Sequence, residues 1–423
     1  MRKPFHLILG AAVLFAAVPL AAVPRGDEPV AVPSSIKQGI DFVYVDPQMS
    51  NVAQRKQRPR NWLQRMFGGG GEQRAANAPN PIFDQLASGL QQYQATWGSL
   101  PQVKIAPGAA LKRGAKGKRV ELLRTRLGLP AAGGFDDALA QLVGEYQRVH
   151  GLGTPDQIAG KATIASLNLG ADYYARRIAI NMERAYRLPT TRTFDRYVVI
   201  DSGAAEAYLF NGDRVADSMR VVVGSAKTKT PMMAVIMRNA KVNPYWNVPP
   251  ELIRSLTAKR VREQGLPYLD NFHYEVLSDW TVGAPPVDPR TIDWKLVESG
   301  ASEIRVRQLP GPWNSMGAMK FEMPNDFGIY LHDTPHKELF DQDERHLSNG
   351  CVRLQDYRRF ANWVFGRMPQ PTSPREQNFD LPRPVPIYMT YLTVAPSNAG
   401  LVFRPDIYGF DALAMPQMFG AQA

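Results

Sequence analysis

The sequence predicts an α+β protein of several domains, with a helical first half and a mainly β second half. The chain has 423 residues, which is enough for two or three domains and at least one sizeable core. Between residues 82 and 180, apolar residues recur at spacings of three and four, as they do on one face of a helix. From residue 181 onward, short β-rich runs alternate with turn residues instead.

The N-terminus has the features of a secretory signal peptide, residues 1–23. Basic Arg2 and Lys3 precede an apolar run from Leu7 to Val23, with small residues around Ala22 for cleavage. The run falls short of the roughly 20 residues that cross a bilayer comfortably. We therefore expect export to the periplasm. Retention by an uncleaved N-terminal anchor, and so contact with the membrane, is the alternative.

A flexible basic tether is expected at residues 24–81. Glycine and proline clusters at 68–71 and 77–81 interrupt any periodicity, and only a short piece near 42–45 is predicted to be structured. Residues 51–76 carry six Arg or Lys against one Glu, a balance of +5 within the net charge of +11. An exported chain meets acidic lipid or wall polymer, so no nucleic-acid partner is expected. A merely solvated linker explains the same stretch.

The helical region at residues 82–180 contains a compact unit at about 108–170. Its pattern is Leu111-x-x-Gly114-x-x-Gly117-x-x-Val120-x-x-Leu123, followed by Phe135, Tyr146-Gln147, His150-Gly151-Leu152 and Ile158-Ala159-Gly160-Lys161-Ala162-Thr163. This pattern resembles the small three-helix peptidoglycan-binding domain. That family commonly has Gly where this chain has Gln157, so the turn there is expected to differ.

The rest of the chain is expected to form a mainly β domain, residues 181–395, and a C-terminal tail, 396–423. Its β-rich runs are Tyr197–Ile200, Ala207–Phe210, Met219–Val223, Gly328–Leu331 and Val385–Thr393. Asn211-Gly212 is a typical hairpin turn between the second and third runs. The mixed stretch at about 251–312 is expected to be an inserted capping segment, with a helix near 252–264, that overhangs a cleft.

Cys351 is the only cysteine of the chain. Exported proteins tend to pair their cysteines, so an unpaired one indicates a reactive thiol, with a small buried side chain as the alternative. A thiol needs a base to become a good nucleophile. His332 ends a predicted strand 19 residues earlier and is the expected general base and acid. Asp333 is expected to orient His332, through its backbone carbonyl or its carboxylate.

The residues around Cys351 suit acyl transfer. Asn349 and Gly350 favour a sharp turn whose backbone N–H groups stabilise a developing oxyanion, each donor contributing on the order of 3 kcal/mol. Arg353 adds a cation that lowers the thiol pKa or binds a substrate carboxylate. A metal site on His332 and His336 is disfavoured, because ligands at this spacing usually lie on a helix and Pro335 argues against one.

These residues resemble the L,D-transpeptidase family with a YkuD-type catalytic domain, whose signature is a strand-end His followed by Ser-x-Gly-Cys-aliphatic-Arg. The resemblance extends from about Phe83 to Gly409. Further matching segments are Arg196–Val199, Val221–Gly224, Thr230-Pro231, Asn243–Pro249, Gln308–Gly311, Lys320-Phe321 and Pro324-Asn325. The large periplasmic Gram-negative branch likewise has a wall-binding module and an insertion over the active site. Many members have His where this chain has Asn349, so only His332 is assigned as the base.

The resemblance implies a reaction on peptidoglycan stem peptides, in cell-wall biogenesis and the maintenance of cell shape. Cys351 would attack the carbonyl of the third residue of a tetrapeptide donor, usually diaminopimelate, and release the terminal D-Ala. The amine of a diaminopimelate acceptor would then resolve the thioester and form a 3→3 cross-link. The resemblance further implies no metal or cofactor, and acylation by carbapenems. Substrate contacts are expected from Arg353, Ser348, Tyr330, Trp246 and Asn314, although Trp246 and Tyr330 also suit core positions.

Other functions remain compatible with the sequence. The same acyl-enzyme can pass its acyl group to water, as an L,D-carboxypeptidase does, or to the lysine of an outer-membrane lipoprotein, and it can hydrolyse an existing cross-link. A protein without catalytic activity that only binds the wall is a different class of function. The presence of both His332 and Cys351 argues against that scaffold.

Overall fold

The structure, a computed structural model, describes residues 42–46, 49, 80–189, 193–281, 283–397 and 400–420. The expected signal peptide, most of the expected tether and the basic stretch at 51–76 lie outside these residues. Within the described ranges, no helix combines the length and the apolar character needed to cross a membrane.

Five helices form the first part of the structure. They are α1 (Pro81–Tyr93), α2 (Lys118–Arg126), α3 (Asp137–Val149), α4 (Lys161–Leu169) and α5 (Ala171–Tyr186). Helix α1 begins where the Asn80 side chain accepts a hydrogen bond from the Phe83 N–H and Pro81 takes the first position, a common start for a helix. The five helices share one apolar core, in which Leu86 and Leu139 are fully buried.

The turn before α4 contains Gln157 at the position where a glycine is common in the resembling family. Its φ of +61° is left-handed, which is uncommon for residues other than glycine. The Gln157 N–H donates to the Gln147 side chain (3.0 Å), and the Gln157 side chain accepts from Arg113 (2.7 Å). These bonds hold a non-glycine residue in a left-handed turn. The identity of α2–α4 as a peptidoglycan-binding domain remains a prediction.

Most strands of the second half join one mixed sheet. They are β1 (Val43–Tyr44), β2 (Arg196–Asp201), β3 (Glu206–Asn211), β4 (Arg214–Gly224), β5 (Met233–Val242), β9 (Met319–Glu322), β10 (Leu331–His332), β11 (His346–Ser348), β12 (Val352–Leu354) and β13 (Gln377–Thr390). The order is β1-β5-β13-β2-β3-β4-β12-β10-β9, and β11 pairs with β4. Because β9 also pairs with β5, the sheet closes into a ring. Strand β1 lies within the expected tether and pairs with β5.

The ring encloses the second large core. Apolar side chains of its strands pack together with one face of a helix that follows β12, Tyr357–Phe365, on which Phe360 and Val364 are buried. The hairpin predicted at Asn211-Gly212 is confirmed, because Asn211 pairs with Arg214 across it. The described chain is thus a mixed α/β structure of several domains with a large β-sheet, as predicted.

Residues 246–308, between β5 and β9, form a separate unit with its own small sheet. Its elements are β6 (Trp246–Asn247), α6 (Pro250–Leu252), α7 (Lys259–Gln264), α8 (Pro267–Asn271), β7 (Tyr274–Leu277), α9 (Trp294–Ser299) and β8 (Arg305–Gln308). The helix Tyr357–Phe365, which packs on the ring and not on this unit, is α10. The strands pair in the order β6-β8-β7. Val248, Ile253 and Val306 are among the buried residues of its core. We refer to this unit as the inserted unit.

The C-terminal segment is structured in its described part, in contrast to the expected tail. Strands β14 (Val394–Ser397) and β15 (Gly400–Phe403) form a hairpin, and α11 (Phe410–Phe419) follows. Leu401 and Phe403 are buried in the core of the helical region. The tail prediction was wrong because it relied on local pattern, whereas these residues are ordered by distant helices.

Candidate active site

Two short parallel strands, β10 and β12, place the candidate catalytic residues. The register pairs Leu331 with Val352 and His332 with Arg353. Leu331 and Val352 are fully buried in the core of the ring. Because successive side chains of a strand point to opposite faces, His332 and Arg353 share the other face. Cys351 lies two residues before Arg353, so the register places all three residues on one side of the sheet.

The His332 side chain is buried and held in one tautomer. Its Nδ1 lies 2.5 Å from the backbone oxygen of Asp333. A carbonyl oxygen can only accept, so Nδ1 carries the proton and Nε2 has the lone pair. Burial, and then the positive charge of Arg353, lowers the pKa of His332 to about 3. The imidazole is therefore neutral near pH 7 and can act as a base.

Asp333 contacts His332 through its backbone carbonyl, one of the two routes predicted from the sequence. The carboxylate has other partners: it accepts from the Ala318 N–H at 2.9 Å and pairs with Lys337 at 2.6 Å. At Gly317, where φ is +63°, an added Cβ would lie 2.3 Å from this carboxylate. The Asp333 carboxylate thus holds the chain at Ala318 and at Lys337 and does not bond to the His332 ring.

The Cys351 thiol is partly accessible, and its hydrogen bond goes to the Gly328 backbone oxygen at 3.5 Å. Burial raises the pKa of the thiol above its usual value, although a hydrogen bond from the Tyr330 N–H and the charges of Lys320 and Arg353 act in the opposite direction. Because the thiol pKa is raised and the imidazole is neutral, Cys351 and His332 both carry no charge in the resting state. Such a thiol depends on proton transfer to a base for its reactivity.

The turn before Cys351 is closed by Ser348. The Ser348 hydroxyl donates to the Cys351 backbone oxygen (2.6 Å) and accepts from the Gly350 N–H (3.1 Å). Gly350 has a φ of +117°, which only glycine adopts readily. Among the described residues, the Cys351 N–H has no hydrogen-bond partner. The Cys351 N–H is thus the donor available for an oxyanion, whereas the Gly350 N–H predicted for this role is occupied.

Ser348 and Asn349 both lie in this turn. Ser348 is buried with both functions of its hydroxyl in use inside the turn, so it shapes the turn and does not contact substrate. The Asn349 side chain is exposed at the tip of that turn.

Two threonines that the sequence analysis did not single out donate hydrogen bonds to backbone oxygens of the same turn. Thr228 Oγ1 donates to the Ser348 backbone oxygen at 2.9 Å. Thr230 Oγ1 donates to the Gly350 backbone oxygen at 2.7 Å. Thr230-Pro231 lies among the segments matching the resembling family, but nothing in the pattern indicates a contact across more than 100 residues.

Arg353 presents a half-buried cation beside His332 and Cys351. Its Nε is buried and has no hydrogen-bond partner in the described part of the chain. Burial lowers the pKa of this guanidinium. A buried donor without a partner is costly, and a carboxylate would supply the acceptor that it lacks. The structure is thus compatible with the predicted role of Arg353 in substrate binding.

Tyr330 is half-buried next to Cys351, and its ring lies 3.6 Å from the Lys320 ammonium. Lys320 of β9 is paired in register with His332 of β10, so it lies on the opposite side of the histidine from Arg353. Cations therefore flank His332 on both neighbouring strands. The candidate site is electropositive, as a site for an anionic peptide would be.

The last two predicted contact residues, Asn314 and Trp246, have other surroundings in the structure. Asn314 is completely buried, and its amide nitrogen donates to backbone oxygens of Pro244 and Leu309 (3.0 and 2.9 Å). Its oxygen accepts from the Met316 N–H at 2.7 Å. Asn314 therefore holds a loop together, which contradicts its predicted substrate contact. Trp246 is half-buried against the core of the inserted unit, which agrees with the alternative core position.

A cavity of about 270 Å³ lies where the two segments that join the inserted unit to the ring meet the residues after β10. It is lined by Asn243, Gly311, Pro312, Gly317, Ala318, Asp333 and Pro335. Asp333 connects this cavity to His332. In the described residues, no group of three or more His, Cys, Asp or Glu side chains is arranged to hold a metal ion.

Residues 195–375 match the family model of YkuD, described as the L,D-transpeptidase catalytic domain. Among curated proteins, a putative L,D-transpeptidase of Haemophilus influenzae is 32% identical over 244 residues, which cover 56% of this chain and 48% of that protein. The chain thus spans about half the length of this relative.

Solved structures that match parts of the chain include an L,D-transpeptidase from Mycobacterium smegmatis, with 14% identity, 46% of this chain and 58% of that chain covered and a TM-score of 0.23. Another is the L,D-transpeptidase from Xylanimonas cellulosilytica, with 15% identity, coverage of 68% and 100% and a TM-score of 0.20. At TM-scores this low, these likenesses add no weight. The family model and the curated relative confirm the resemblance found in the sequence: residues 195–375 are a YkuD-type L,D-transpeptidase catalytic domain.

Proposed function

We propose that the protein is a peptidoglycan L,D-transpeptidase that forms 3→3 cross-links through a thioester on Cys351. The observation that carries the proposal is the register of β10 and β12, which places Cys351, the neutral imidazole of His332 and the cation of Arg353 on one face. The matched catalytic domain supports the reaction class.

In the first half-reaction, His332 Nε2 takes the thiol proton as Sγ attacks the carbonyl of the third residue of a tetrapeptide stem. The Cys351 N–H stabilises the oxyanion of the tetrahedral intermediate. When the C–N bond breaks, His332 returns the proton to the departing D-Ala amine, leaving a thioester. Arg353 binds a carboxylate of the donor through its guanidinium group.

In the second half-reaction, the side-chain amine of diaminopimelate on another stem attacks the thioester. His332 takes the amine proton and returns it to the sulfur as the C–S bond breaks, which regenerates the thiol. Water in place of the amine would make the enzyme an L,D-carboxypeptidase, and a lipoprotein lysine would make it an anchoring enzyme. The proposal also includes export to the periplasm through residues 1–23, which cell fractionation of the full chain would test.

Intact-mass measurement with meropenem tests the nucleophile. Wild type should gain one adduct and Cys351→Ala none, because the chain has no other thiol. An adduct that persists in Cys351→Ala would overturn the assignment.

Incubation with a disaccharide-tetrapeptide tests the acceptor. A cross-linked dimer with release of D-Ala is the expected product. A tripeptide alone would instead establish trimming, and a protein that binds sacculi without forming either product would be a scaffold.

The pH dependence of acylation should reflect the low pKa of His332. Because that pKa is about 3, the base stays neutral from pH 5 to 8, and the rate should show no inflection near 6.5, the usual histidine pKa. Arg353→Gln removes a positive charge that lowers the pKa of His332. The pH at which the acylation rate falls on the acid side should therefore be higher in this variant than in wild type. Stopped-flow acylation by meropenem measures both, with exposed Arg358→Gln as the control. A wild-type inflection between pH 6 and 7 would contradict the assignment.

A further inference from the structure

Tyr408 lies outside residues 195–375, yet its hydroxyl reaches the support of the Cys351 turn. Tyr408 is buried, and its hydroxyl donates to the Gly224 backbone oxygen at 2.6 Å and accepts from the Thr230 N–H at 3.4 Å. Gly224 ends β4, and Thr230 lies six residues further along. One phenol thus joins both ends of the short loop between them.

This loop is hydrogen-bonded to the turn that carries the candidate oxyanion donor, the Cys351 N–H. Thr230 Oγ1 accepts from the Gly224 N–H (2.9 Å) and donates to the Gly350 backbone oxygen (2.7 Å). The Gly350 carbonyl and the Cys351 N–H belong to one planar trans peptide group, in which they point in opposite directions. Fixing the carbonyl therefore fixes the direction of the Cys351 N–H.

The loop is packed too closely to tolerate much movement. A Cβ on Gly224 would lie 2.1 Å from the Thr228 backbone oxygen and 2.6 Å from the Thr230 nitrogen. Only glycine leaves room for this close approach of residues 228–230 to position 224.

Tyr408 is itself held rigidly by its own segment. Its ring stacks on Tyr391, with centroids 4.8 Å apart and an angle of 10°. Its N–H donates to the Tyr391 hydroxyl at 3.0 Å. The following helix α11 is fastened to α5 by Asp411, which pairs with Arg177 and Arg184.

We propose that Tyr408 is a positioning residue for acyl transfer, which aims the Cys351 N–H at the oxyanion through Thr230 and the Gly350 carbonyl. The proposal rests on the proposed acylation of Cys351. It makes the C-terminal segment a part of the active site, although the segment lies outside the matched catalytic domain.

Comparing two reactions of the same thiol tests this role. Acylation by meropenem passes through an oxyanion, whereas alkylation by iodoacetamide does not. Tyr408→Phe should slow the acylation step about tenfold with unchanged apparent affinity for meropenem, while alkylation stays within twofold of wild type. Tyr388→Phe is the matched control, because it removes a buried hydroxyl that is not among the groups bonded to Gly224, Thr230 or Tyr408. Both of its rates should stay within twofold of wild type.

Thermal unfolding of each variant shows that rates are measured on folded protein. Should Tyr408→Phe fail to fold, Thr230→Val and Thr230→Ser replace it: the first should show the same selective loss, and the second, which keeps a hydroxyl, should restore acylation. Equal acylation in wild type and variant, or an equal fall in both rates, would overturn the proposal. Absence of any wild-type adduct on Cys351 would instead overturn the proposed function.

Discussion

His332→Gln is expected to lower the rate of Cys351 acylation by roughly 10²- to 10⁴-fold, the usual contribution of a general base. Glutamine has an amide that donates and accepts hydrogen bonds but cannot take up the thiol proton. The raised pKa of the thiol makes this loss severe, because little thiolate is present without a base. Mass-detected acylation by meropenem at pH 7 measures the effect.

The control for this substitution is His336→Gln, four residues away. His336 is exposed and its Nδ1 faces Glu338 at 3.2 Å. It should acylate like wild type. A His332→Gln protein that retained a tenth or more of the wild-type rate would show that another group takes the proton.

Asp411→Asn is expected to reduce the free energy of unfolding by about 3–5 kcal/mol, the typical cost of leaving buried charge without its partner. The Asp411 side chain is 1% exposed and pairs with Arg177 at 2.8 Å and Arg184 at 2.6 Å. It also accepts from the Thr393 hydroxyl at 2.5 Å. An asparagine would leave two buried guanidinium groups without an anion. Urea denaturation monitored by circular dichroism measures the loss.

The same carboxylate predicts how stability changes with pH. Burial alone would raise the pKa of Asp411, but Arg184 and Arg177 together hold it below its ordinary value. A lowered folded-state pKa means that this stabilisation is present above the unfolded pKa of about 3.9 and is lost as pH falls through the folded value. Asp172→Asn is the control, because its pair with Arg176 on α5 is exposed and should contribute less than about 1 kcal/mol. An equal effect of both substitutions would contradict the prediction.

Local signals in the sequence pointed to the candidate reactive residues. His332 ends a strand and Cys351 precedes one, and such strand-end positions are visible in a pattern of apolar runs and turns. The matched catalytic domain confirms the family that this spacing indicated. The roles of the individual residues remain predictions, which the experiments above address.

Long-range contacts explain what the sequence did not reveal. Asn314 looked like a polar residue near a cleft, but three backbone carbonyls and one N–H surround it. Thr230 and Tyr408 reach the Cys351 turn from distant parts of the chain, which no local pattern indicates. The C-terminal hairpin was mistaken for a tail because its apolar residues are covered by α1 and its neighbours.

The pairing of β5 with β9 has a consequence for how this family of enzymes can diversify. Val242 at the end of β5 lies opposite Met319 at the start of β9, so the inserted unit leaves and re-enters the ring at adjacent points. A short turn could join these strands directly without disturbing any other pairing of the ring. The geometry of the ring therefore does not depend on the length or the fold of the chain inserted between β5 and β9.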